Sequence, residues 1–172
     1  MNMHKDHRLE KRALEAVEHH HAVMVTRLKA LVAALIHAVE ARDPAAEVNA
    51  REVLVEWCEA ELVPHALAEE GPLYEGPGRT DQGRLLVEGM LAEHRVIVGL
   101  VDELRRSQGV NAAVAAGAVQ HIFALHLDKE NRLLMPFIAQ SPELSLADAV
   151  EGLHELVGEA HIHSDHRTKP AI

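Results

Sequence analysis

The sequence predicts an all-α protein, an up-down-up-down four-helix bundle with a short additional C-terminal helix. Three observations predict it. Apolar residues recur at alternating spacings of three and four along four long stretches, as a helical core face requires. Hydrophobic residues make up 48% of the 172-residue chain and aromatics only 2%, so the core is built from Ala, Val and Leu. Gly and Pro gather between those stretches, whereas a sandwich or barrel would spread them over many turns.

Helix 1 starts after Asp6 as N-cap and runs to about Arg42, with the stripe Leu14, Val17, His21, Met24, Leu28, Leu31, Leu35. Asp43-Pro44 pairs an N-cap with a proline at the first helical position, a start signal for helix 2. That helix carries Val48, Val55, Cys58, Leu62, His65 and Glu69 on one face, and the run from Gly71-Pro72 to Gly76-Pro77-Gly78 ends it. Helix 3 begins near Thr80 or Asp81 with the stripe Val87, Met90, His94, Ile97, Val101, Leu104. After the turn at Ser107-Gln108-Gly109-Val110-Asn111, helix 4 bears Ala115, Val119, Ile122, His126, Glu130, Leu133 and Phe137. Ser141-Pro142 stops it. Ser145 and Asp148 then form a capping box for a shorter fifth helix to about Ala160. The bundle thus occupies residues 1–142, and residues 143–172 form a short helix and a His-rich tail.

The formal charge of −10 excludes nucleic acid as a partner class, because phosphate binding needs a basic face. With Cys58 the single cysteine, neither an intrachain disulfide nor a thiolate cluster forms, and it reads as a small buried hydrophobe. The N-terminus lacks a signal-peptide apolar run, and no apolar stretch is read as long enough to span a membrane. The expectation is a cytoplasmic protein with no membrane partner. The oligomeric state is left open.

The chemistry concentrates in six residues on the predicted core faces: His21, His65, Glu69, His94, His126 and Glu130. Buried imidazoles and carboxylates cost several kcal/mol unless they are paired. The spacing His-x-x-x-Glu is by itself uninformative, since a chain of this composition yields roughly two such pairs by chance and two are present. Depth discriminates better. His21 and His65 are equidistant from Asp43, and His94 and His126 are equidistant from Val110, so antiparallel neighbours bring each pair to one height. Four imidazoles and two carboxylates suit iron, manganese or zinc. They exceed one closed tetrahedral site and suit two metals bridged by the glutamates, with open positions for a small molecule.

On helix 1 three histidines run together. His21 continues the stripe and His20 is its alternative, while His19 is read as solvated or hydrogen-bonded to a ligand. His37 and His121 fall off their stripes. Glu70 and Glu93 adjoin ligands and are read as exposed acids, with orienting an imidazole the alternative. Met90 fills space. The tail histidines His161, His163 and His166 have a spacing that does not converge on one helical face, which favours a solvated tail over a second metal site.

These residues give the chain a family resemblance. Glu18-His19-His20-His21, Pro64-His65-Ala66-Leu67-Ala68-Glu69-Glu70 with Leu73-Tyr74, Ala92-Glu93-His94-Arg95, and His126-Leu127-Asp128-Lys129-Glu130-Asn131 leading to Met135-Pro136-Phe137 form an ordered H…HxxxE…H…HxxxE pattern. In this the chain resembles hemerythrin-like proteins with an HHE cation-binding domain, over residues from about 8 to 140. The resemblance implies a non-heme, carboxylate-bridged centre of two iron ions. It also implies a partner that is a small diatomic ligand or peroxide: such proteins bind dioxygen or nitric oxide, decompose peroxide, or sense iron and oxygen. Two departures matter. Oxygen carriers of the family have a histidine four residues before the one matching His94, where this chain has Met90. Their last motif ends in an aspartate five residues after its histidine, where this chain offers Glu130 at four. Both departures turn the expectation from reversible oxygen carriage toward peroxide handling, in the manner of a catalase, or toward sensing. A non-enzymatic iron or redox sensor or metal store is the alternative, and a bundle with purely structural histidines the third reading.

Overall fold

Capping chemistry sets the helix ends in the computed structural model, which describes residues 6–152. Helix α1 (His7–Glu40) is capped by Asp6, whose carboxylate accepts the Arg8 N–H. Arg42 takes a left-handed φ of 54° to reverse the chain. Asp43 then accepts the N–H groups of Ala45 and Ala46 at 3.1 and 3.0 Å, starting α2 (Pro44–Trp57). Such a cap is worth about 1 kcal/mol. Through one π turn (Cys58–Leu62) α2 continues into α3 (Val63–Glu69), so residues 44–69 form a single rod.

The Gly- and Pro-rich link contains a short α4 (Glu75–Gly78). The next rod, α5 (Arg84–Arg106), begins a few residues later than the sequence suggests. The cause is local: Thr80 Oγ1 accepts the Gly83 N–H at 2.9 Å and donates to the Pro77 carbonyl, closing a turn before the helix starts. Rod four joins α6 (Gly109–Lys129), a second π turn (Glu130–Leu134) and α7 (Met135–Gln140). Gly109 opens it at φ 57°, a conformation that favours glycine, and its N–H donates to Glu47 on α2.

Among the described residues the protein is all-helical, a helical bundle in which α1 packs on α2 and α6, and α5 on α6 and α2. The stripes expected on rods one and three are buried, apart from half-buried Leu14. Two expectations shift. Val48 faces solvent, and on rod four Leu133 is exposed while Leu134 and Ile138 are buried. The π turn explains the latter. Met135 N–H bonds the Glu130 carbonyl five residues back, so one extra residue turns the next position inward.

Membrane-compatible hydropathy also needs correcting. By length and composition alone, His7–Glu40 and Gly109–Gln140 each hold a window apolar enough to cross a membrane. Apolar side chains on their outer faces, such as Val23 and Val114, raise the average, while their inner faces build the bundle core.

The buried apolar residues fall into two clusters. One gathers Met24, Leu28, Leu35, Leu54, Cys58, Leu62, Ile97, Leu104, Phe123 and Leu127. Another gathers Val17, Leu73, Tyr74, Val87, Met90, Leu134, Ile138, Leu146 and Val150. The second includes the last helical segment, residues 146–152, which starts at Ser145 as expected: its Oγ accepts the Asp148 N–H at 3.1 Å. The rest of the expected fifth helix, to Ala160, lies outside the described residues. Glu10, buried on α1, accepts Ser145 Oγ–H at 2.9 Å and Leu146 N–H at 2.8 Å, tying that segment to the bundle.

Glu10→Ala leaves the Leu146 N–H buried without that acceptor. It is expected to lower unfolding free energy in urea by about 1–3 kcal/mol. Glu15→Ala, at an exposed position on the same helix, is expected to stay within about 0.5 kcal/mol of wild type.

Candidate metal centre

Between the two apolar clusters lies one polar layer. His21 enters from α1 between Val17 and Met24, and His65 and Glu69 enter from α3 one turn apart. His94 enters from α5 between Met90 and Ile97. His126 lies near the end of α6, and Glu130 opens the second π turn. The structure brings all six sequence-identified residues together, and the most exposed of them, His65, retains only 6% of its surface. The matched depths appear as ring contacts: His21 and His65 have centroids 5.3 Å apart, and His94 and His126 4.6 Å.

The two carboxylates link these histidine pairs. Glu69 Oε1 lies 3.1 Å from His65 Nε2 and 3.5 Å from His21 Nε2. Glu130 reaches both ways, with Oε2 3.6 Å from His21 Nε2 and Oε1 3.4 Å from His126 Nε2. Two groups of donor atoms result, His21, His65 and Glu69 in one and Glu69, His94 and His126 in the other, so Glu69 belongs to both. At the core of the layer, His21 Nε2, His65 Nε2, both Glu69 oxygens and Glu130 Oε2 are buried without hydrogen-bond partners. Each such atom costs about 1–3 kcal/mol. All five are lone-pair donors suited to a cation, and borderline metals accept this mixture of nitrogen and oxygen. The residues therefore fit a metal.

Imidazole orientation supports that fit. His21 Nδ1 faces Asn131 Oδ1 at 2.8 Å, His94 Nδ1 faces Glu70 Oε1 at 2.9 Å, and His126 Nδ1 faces Glu93 Oε2 at 3.0 Å. An oxygen acceptor at Nδ1 places the proton there and leaves the Nε2 lone pair pointing into the layer. Glu93 is held in turn by Lys129. Glu70 and Glu93 thus act on imidazoles, beyond their reading as exposed acids. Asn131, five residues after His126, is the outer partner of His21.

Sequence reasoning assigned no role to Tyr74. Its hydroxyl donates to Glu130 Oε1 and lies 3.0 Å from His126 Nε2 and 3.4 Å from His94 Nε2. The signal was available: this is the chain's single tyrosine, in a link otherwise rich in Gly and Pro. Burial first, then the charge of Glu130, pushes its phenol far above the ordinary tyrosine range. In the metal-free layer it is a neutral O–H donor.

On helix 1 the alternative to His21 is excluded from the layer. His20 is exposed and its ring lies tilted against His65 with centroids 5.1 Å apart, while His19, His37 and His121 also face solvent. Met90 is fully buried beside Val87 and Tyr74 in the second cluster. The tail histidines His161, His163 and His166 lie outside the described residues.

Electrostatics without a cation show a strained compromise. Burial lowers the pKa of His21, but Glu69 and Glu130 more than offset it, and the net shift is upward. His126 is raised likewise, burial being outweighed by Glu130 and Glu93. Burial would raise Glu69, yet His65 and His21 hold it well below the usual carboxylate range. Protons on histidine thus stand in for a missing positive charge.

A family model, Hemerythrin HHE cation binding domain, matches residues 12–138. No curated protein and no solved structure matches the chain.

The raised histidines bind protons more tightly folded than unfolded. Their stabilising contribution is complete below the ordinary value of 6.5 and is lost as pH rises through the folded pKa. Metal-free protein is therefore expected to melt at lower temperature near pH 8.5 than at about pH 6. Thermal unfolding of Glu130→Gln, which removes one of the carboxylates responsible, should show a flatter pH dependence.

Proposed function

The chain belongs to the hemerythrin HHE cation-binding family, and on that premise we propose a non-heme dinuclear iron protein that reacts with dioxygen, peroxide or nitric oxide, with peroxide decomposition as its activity. The observation that carries this reading is the set of five partnerless donor atoms facing one another from three helical rods. His21 and His65 would hold one ion and His94 and His126 the other. Glu69 and Glu130 would bridge them, since each carboxylate approaches imidazoles from more than one rod. The four rods are read as an up-down-up-down bundle, supported by the short links after α1 and α5 and by the paired depths of the histidines.

The bound irons would supply Lewis acidity and electrons. The protein's own groups set the conditions. Near-complete burial of all six side chains excludes bulky substrates and suits a small, uncharged molecule. Asn131, Glu70 and Glu93 fix the tautomers, so the nitrogen lone pairs face inward. Tyr74 holds its proton at the hydroxyl oxygen beside Glu130 and His126, kept there by burial and the Glu130 charge, so it would serve an oxygen substrate entering the layer as a hydrogen-bond donor.

Iron-loaded protein is expected to evolve oxygen steadily from hydrogen peroxide, measured with an oxygen electrode. His126→Ala should abolish turnover while circular dichroism still shows the helices. In Tyr74→Phe, iron content is expected to hold while turnover falls by about 100-fold or more; unchanged turnover would remove Tyr74 from the reaction. Ligands must be deprotonated to bind metal, so acidification through the histidine range should release the iron. Full iron retention after dialysis near pH 4 contradicts the ligand assignment.

A further inference from the structure

The outward faces of the imidazoles are not alike. Behind His94 and His126 stand carboxylates, Glu70 at 2.9 Å and Glu93 at 3.0 Å from the respective Nδ1 atoms. Behind His21 stands a neutral carboxamide, Asn131, at 2.8 Å. A carboxylate accepting the Nδ1 proton draws it away from the ring and makes Nε2 a stronger donor than an amide oxygen does. The local charge adds to this. Glu70 and Glu93 bring two negative charges to one side of the layer, partly balanced by Lys129 on Glu93, whereas Asn131 brings none.

Resting on the dinuclear reading above, we propose that the two metal positions are unequal by construction: the His94/His126 position fills first and tightly, and the His21/His65 position fills second and weakly. Glu70, Glu93 and Asn131 are positioning residues that set the difference without touching the metal. On one side a divalent cation meets two strongly polarised imidazoles, whose Nε2 atoms lie 3.0 Å apart and share the Tyr74 hydroxyl, so the cation takes that hydroxyl's place on them. Once that position is filled, Glu69 and Glu130 are each already engaged. The second ion then competes for shared carboxylates, with one imidazole backed only by an amide.

The test is titration of metal-free, full-length protein with Co²⁺ under anaerobic conditions, followed by visible absorbance and calorimetry. Two steps are expected, their dissociation constants separated by about 10-fold or more. His65→Gln should remove the weaker step alone and His126→Gln the tighter one. The isosteric double variant Glu70→Gln/Glu93→Gln should weaken the tight step by about 10–100-fold and leave the other unchanged. Two equal steps, or a Glu70→Gln/Glu93→Gln effect shared equally by both, would overturn the inequality while leaving a two-metal centre standing. Failure to bind two equivalents would overturn both readings.

Discussion

The constraint on which the rest of the structure depends is that a buried polar atom must have a partner. Four imidazoles and two carboxylates cross the middle of this bundle, and the protein alone satisfies only part of their bonding capacity. Nδ1 atoms of three imidazoles find oxygen acceptors, and the Nε2 atoms of His94 and His126 meet each other and Tyr74, yet Nε2 of His21 and of His65, the Glu69 carboxylate and Glu130 Oε2 find no partner. Apolar clusters flank the layer on either side. What remains is a set of facing lone pairs, which a cation would satisfy directly. A layer of this kind lowers the stability of the empty protein, and binding energy would be returned as folding energy when metal enters.

Helix geometry serves the same layer. His126 and Glu130 project together because they are one turn apart, and the π turn that begins at Glu130 re-aims the chain behind them. It sends Leu134 and Ile138 into the second cluster and places Asn131 against His21. A second π turn lies directly ahead of the His65/Glu69 segment, with Cys58 and Leu62 buried at its ends. There burial pushes the Cys58 thiol up to about 12, which leaves it an inert hydrophobe of the core. Departures from regular helix thus flank the ligand-bearing turns on both of the rods that carry carboxylates, a recurring association between π turns and functional sites.

Much of this was legible in the sequence. The stripes of α1 and α5 predicted their buried faces, since regular helices obey a 3.6-residue period, and equal distances from Asp43 and from Val110 predicted which histidines would meet. Choosing His21 over His20 followed from the stripe and agrees with burial. Period-based reasoning failed at Leu133, where helix regularity ends, and at Val48, in the first turns of α2: both were placed inside and face out. Tyr74 was missed for a different reason. It lies in an irregular link, where no periodicity tells which way a side chain points, and only tertiary packing carries its hydroxyl to Glu130. Glu70 and Glu93 were visible as neighbours of ligands, but sequence alone does not separate an exposed acid from one that turns back to an imidazole.

We propose that this layer holds two metal ions through nitrogen and oxygen alone. X-ray absorption at the iron edge of anaerobically loaded, desalted protein addresses it most directly. The account predicts two irons per chain, a first shell of nitrogen and oxygen scatterers without sulfur, and an iron–iron vector at the separation of bridged ions, about 3.5–4 Å. One iron per chain, a sulfur shell, or the absence of any iron–iron scattering would contradict it.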